Sequence, residues 1–219
     1  MTATKTAGDP DAGVPPVYVQ KAKIILLSTV AAMGYGVVHD QITARLCVEY
    51  FTIAHPPLFH TTSPTLLGIC WGIAATFGVG IVLGVVLALV SQSEGPPSTP
   101  IPRVVRLIVC LLAVMAICAS LAGLFGVELS RRSIVGFPAF LPAAIPASQH
   151  DRFMAVWFAH GASYLVGITG GLLVIVRIWL ERGRPRVLTL YPRSRGEIIR
   201  ALIVAAIAAL ILWFRFGRS

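Results

Sequence analysis

Three of the chain's five histidines and two of its nine acidic residues fall in one stretch, YGVVHDQITARLCVEYFTIAHPPLFH, residues 35–60. Imidazole and carboxylate groups bind transition metals and exchange protons. His39 and Asp40 are adjacent, Glu49 follows them, and His55 and His60 flank a pair of prolines. A further histidine, His160, stands inside the apolar run FMAVWFAHGASYLVGITGGLLVIV. An ionisable side chain in such a run is costly and needs a partner, which makes it a functional candidate by default. His160, Ser163, Tyr164, Gly167 and Gly171 recur at i, i+3 and i+4 spacing and share one helical face, as do Ser28, Tyr35 and His39 in an upstream run. The two polar faces are expected to meet.

Several chemistries suit these residues. A transition metal fits His39, Asp40, Glu49 and His160, although no HExxH, ExxH or HxxxH spacing is present. Axial ligation of a haem by His39 and His160 is a second option, but their apparent depths differ by about two helical turns, which disfavours a simple sandwich. Proton coupling through His160 with Asp151 or Glu128 is a third. Ser163 as a hydrolytic nucleophile lacks an elbow motif. Each residue also has an ordinary reading. His39 and Asp40 would end a helix and satisfy its last carbonyls. Arg45 and Glu49 would form a surface pair, His55 and His60 would be loop residues, and Glu128 with Arg131 and Arg132 would be interfacial charge. The four cysteines have no metal-binding spacing; Cys70, Cys110 and Cys118 lie in apolar runs, and Cys47 with Cys70 is the one pairing that position permits.

The elements that must hold these groups are membrane helices. With 56% hydrophobic and 12% charged residues the chain lies outside the soluble norm. Five apolar runs approach the length of a span, at residues 23–38, 65–90, 104–127, 153–176 and 198–214. The predicted fold is therefore all-α, a polytopic transmembrane bundle of about five spans with ordered extracytoplasmic loops. Residues 1–22 read as a disordered cytoplasmic tail, and 23–219 as the transmembrane domain. Lys21 and Lys23 before an apolar run also fit a signal peptide, though the polar region ahead of them is long for one.

The net charge of +9 sits at helix ends and in short loops, which points to topology and away from nucleic acid. The basic residues, most of all in RIWLERGRPRVLTLYPRSRGEIIR, gather on the side of the N-terminus, which predicts that this side is cytoplasmic. All five histidines then fall at or near the outer side. Alternation in ITARLCVEYFTI predicts a strand-like outer loop, and the prolines of HPPLFHTTSP and GFPAFLPAAIP predict extended or turn structure. The expected partner is the lipid bilayer. A small-residue ladder, Gly68, Gly72, Thr76, Gly80, Gly84 and Ala88, is a helix contact face, either inside the bundle or toward a second copy or another membrane protein.

The segment YGVVHDQITARLCVEYFT, followed by prolines and a glycine-rich span, resembles a group of bacterial multi-pass membrane proteins to which no activity attaches. The likeness covers mainly residues 35–90, with a weaker echo in AHGASYLVG. It implies a bacterial inner-membrane location and groups His39, Asp40, Gln41, Glu49 and Tyr50 together. With His160 and Tyr164 added, these form the expected extracytoplasmic ligand site for a transition metal or haem. The competing expectations are a non-catalytic membrane scaffold and a small proton-coupled transporter.

Overall fold

The computed structural model describes residues 16–92, 98–136 and 145–182. Four long helices dominate: α1 (Val17–Leu46), α3 (Pro64–Ser91), α4 (Ile101–Arg131) and α5 (His150–Arg182), with a single-turn α2 (Glu49–Thr52) after α1. Among the described residues there is no strand, and each long helix is long and apolar enough to cross a membrane. The expected run at 198–214 lies outside the described residues. Exposed Leu26, Val38, Val82 and Leu124 lie on three of these helices. Apolar side chains on an outer surface suit lipid as the surrounding solvent.

The helix starts follow local sequence. Ser63 caps α3 by accepting from the Leu66 N–H, with Pro64 in the first turn where its missing N–H costs nothing. α4 likewise starts just after its N-cap Pro100 and carries Pro102 in its first turn. α1 begins at Val17, so residues 17–22 belong to the helix and not to a tail. α1 also runs past the expected end at residue 38 as far as Leu46, and the strand-like alternation after Gln41 is overridden. The reason is hydrogen bonding: Thr43 Oγ1 and Arg45 Nη1 both donate to carbonyls four residues back, and Gln41 and Arg45 reach Thr65 on α3. Chain reversal then takes place through α2.

Packing divides the bundle into two tight pairs. The ladder on α3 faces α1: a Cβ at Gly72 would stand 2.5 Å from the Val37 nitrogen, and one at Gly80 would stand 2.9 Å from Thr29 Cα. Within the chain this stripe is occupied by α1. α4 meets α5 through Gly126, where a Cβ would approach the Met154 carbonyl oxygen to 2.8 Å. Further along, α5 makes looser contacts: Gly167 and Gly170 face only the tips of Met115 and Leu111 on α4, and Gly171 faces the tip of Leu83 on α3 in the other pair, where side chains leave a cavity. At one end Ile24, Leu87, Val104 and Ile178 close the core; at the other Cys47, Phe51, Leu67 and Phe153 do so.

Candidate functional site

The polar faces of α1 and α5 meet between the two pairs. Tyr35 Oη and Ser163 Oγ are 2.8 Å apart, and the rings of His39 and His160 are in edge contact with centroids 4.6 Å apart. His39 stands seven residues before the end of α1 and His160 ten residues into α5, which brings to one level two residues whose depths the sequence placed about two turns apart. The estimate failed because both helices extend beyond the apolar runs that defined them.

His160 is 3% exposed and Asp40 is 5% exposed, so their hydrogen bonds fix their chemistry. His160 Nδ1 lies 2.9 Å from the Val156 carbonyl, which can only accept, so Nδ1 carries a proton. His160 Nε2 lies 3.2 Å from Asp40 Oδ1. With Nδ1 already protonated, a hydrogen bond here is carried by one proton between Nε2 and Oδ1. His39 Nε2 is buried without a hydrogen-bond partner. An orphaned ring nitrogen beside a buried carboxylate is costly unless something binds it.

One donor atom from each of His39, Asp40 and His160 lies within 4.8 Å of the others. Donors around a tetrahedral zinc-like ion at ~2.0–2.2 Å lie ~3.3–3.6 Å apart, so side-chain closure of about an ångström brings these three into range. The Nδ1–H bond to Val156 is the second hydrogen bond that orients a metal-ligating imidazole and fixes its tautomer. A haem between these two rings does not fit. Axial imidazoles must stand on opposite faces of the macrocycle, whereas these rings touch each other.

The other expected site residues divide. Tyr50 of α2 covers His160, with ring centroids 4.6 Å apart, and Tyr164 lies 6.1 Å from it. Gln41 turns toward α3, donating to the Thr65 carbonyl at 2.8 Å, and does not join the cluster. Glu49 accepts from Cys47 Sγ at 3.3 Å and is absent from the three-donor group. Arg45 bonds Gln41 and Thr65 in place of the expected Glu49 pair. Asp151 engages Ser130 and Arg131, and Glu128 engages Arg132, so neither is the carboxylate beside His160. All four cysteines are free.

Sequence reasoning missed His55. Its Nδ1 donates to the Tyr50 carbonyl at 2.8 Å, and its ring packs on Tyr50 and Trp71, forming an aromatic lid over His160. Burial holds this imidazole below its ordinary value and hence neutral. The signal was in the sequence as an aromatic and a histidine one helical turn apart, in a segment whose prolines suggested only a loop. Below the cluster a largely apolar cavity of about 180 Å³ runs between the helix pairs. Compared with known proteins, the chain matches no family model, no curated protein and no solved structure.

Proposed function

We propose that this membrane protein binds a divalent transition-metal ion through His39 Nε2, the Asp40 carboxylate and His160 Nε2. The observation that carries the reading is the pairing of a buried, unpartnered His39 Nε2 with a His160 ring already oriented through Val156. Two imidazoles and one carboxylate suit zinc and non-haem iron, and three protein ligands leave open positions for a further ligand. Metal would displace the proton held between His160 and Asp40, so affinity falls as pH falls. Tyr35, Ser163 and Tyr164 line the same cavity and supply hydroxyl groups beside the open side.

The charge distribution supports an orientation with the N-terminus in the cytoplasm of a bacterial cell, the metal ligands lying toward the outer leaflet. The test of the metal reading is elemental analysis of protein purified without a histidine tag, stripped with chelator and reloaded with Zn²⁺, Fe²⁺ or Co²⁺. One ion per chain, lost in both His39→Ala and His160→Ala, is the expected outcome. No stoichiometric metal in the folded wild type after reloading refutes it. Co²⁺ adds a ligand-field spectrum that reports nitrogen and oxygen donors.

A further inference from the structure

Arg106, Val109, Ala113, Ile117, Leu121 and Leu124 of α4 are all exposed and follow one another at intervals of three or four residues. They form a stripe turned away from buried Val104, Ala119, Ala122 and Gly126, so the stripe faces lipid and Arg106 is its one charged member. From Arg106 to Glu128, the next charged residue along α4, is a rise of ~33 Å at ~1.5 Å per residue, close to the ~30 Å thickness of the hydrocarbon core. Arg106 therefore stands at the level of the phospholipid headgroups. Among the described residues its side chain has no ion pair or hydrogen bond. A guanidinium at that level, on a surface that meets lipid, draws its counter-charge from the bilayer.

Two further arginines lie beside it. Arg103, three residues earlier on the same flank of α4, and Arg177 of α5 both donate to Glu181 Oε1, at 3.0 and 2.8 Å. Three guanidinium groups against one carboxylate leave two positive charges unbalanced. Cys110, four residues after Arg106, and Leu173, four before Arg177, are exposed on the same flanks and offer apolar surface toward the bilayer centre. Guanidinium forks match phosphate oxygens in pairs. A zwitterionic head would bring an ammonium group as well, and the one carboxylate here is already engaged by two arginines. We infer that Arg103, Arg106 and Arg177 bind the phosphate of an anionic phospholipid, whose chains lie along α4 and α5 beside Cys110 and Leu173. In the proposed orientation this end of the bundle is cytoplasmic, where anionic lipids give the leaflet its negative surface potential. The site is independent of the metal centre.

The experiment titrates the full chain, in neutral detergent, with phosphatidylglycerol or with phosphatidylcholine of the same chains, and resolves bound lipid by native mass spectrometry. At ~1 kcal/mol for each arginine near an anionic head, two unbalanced charges correspond to a preference for phosphatidylglycerol of about 25-fold. Arg106→Gln should lower that preference about fivefold. Glu181→Gln removes the competing carboxylate and should raise the affinity by a similar factor, a change of opposite sign that a purely structural role for these residues does not produce. Arg132→Gln, at the far end of α4, should alter neither. Excess inorganic phosphate should not displace the lipid, because it has no chains to lay on the helices. Arg106 bonds to no other described side chain, so its variant should keep the wild-type unfolding temperature; should Glu181→Gln fail to fold, the two lipids compared on wild type and Arg106→Gln still decide. Equal binding of the two lipids, unchanged affinity in Arg106→Gln, weaker binding in folded Glu181→Gln, or displacement by inorganic phosphate overturns the proposal.

Discussion

Removing the His160 imidazole from metal-free protein tests whether it and Asp40 form one unit. His160→Ala deletes both ring hydrogen bonds and leaves Asp40, 5% exposed, without its partner. Breaking a buried pair in this way costs about 3–5 kcal/mol. Asp40→Ala is milder, since His160 can keep its Nδ1–H bond to Val156 as a neutral ring, and the orphaned Nε2 costs about 1–3 kcal/mol. The double variant removes both orphans together and should cost little more than His160→Ala alone. The expected coupling is therefore about 1–3 kcal/mol, above the ~0.6 kcal/mol average of an interhelical hydrogen bond in a membrane. Unfolding of the four proteins in mixed micelles, with chelator present, measures it. Additivity within about 0.5 kcal/mol would refute the reasoning that one shared proton ties α1 to α5.

Gly72→Leu should destabilise the fold by about 1–3 kcal/mol or more, because the new side chain collides with the Val37 backbone; Gly34→Leu, at a position with nothing within 4 Å, should not, and thermal unfolding compares them. Cys47 is buried and its thiol is pushed up to about 12, chiefly by desolvation, so it should resist maleimide at pH 7 until the protein is unfolded, as read by mass spectrometry of the modified peptide. Rapid labelling of Cys47 in folded protein would mean that the outer core is open. A tag inserted at Thr61 should be accessible from outside the cell and a reporter fused after Gly183 should be cytoplasmic; both on one side would break the proposed topology.

Composition and the lengths of its apolar runs determined the solvent and class of this chain, because lipid leaves the backbone no alternative to internally bonded helices. The positions of α3, α4 and α5 were readable to within a few residues for α3 and α4 and up to six for α5, since apolar runs and proline starts mark them. The helical faces of α1 and α5 were likewise legible from i, i+3, i+4 spacing, and the expected meeting of the two polar faces takes the form of the Tyr35–Ser163 hydrogen bond. What the sequence could not supply was axial register. Apolar length does not say how far a helix continues through polar residues, and α1 continues for two turns beyond His39 because Gln41, Arg45 and Thr65 bond across to α3. Only that extension brings His39 level with His160, selects Asp40 over Glu49 as the nearby carboxylate, and folds Tyr50 and His55 over the cluster. The cavity, too, belongs to the tertiary structure. Glycine in α3 lets two backbones touch, whereas glycine in α5 faces only flexible side-chain tips, and the same residue type closes one interface and leaves space in the other.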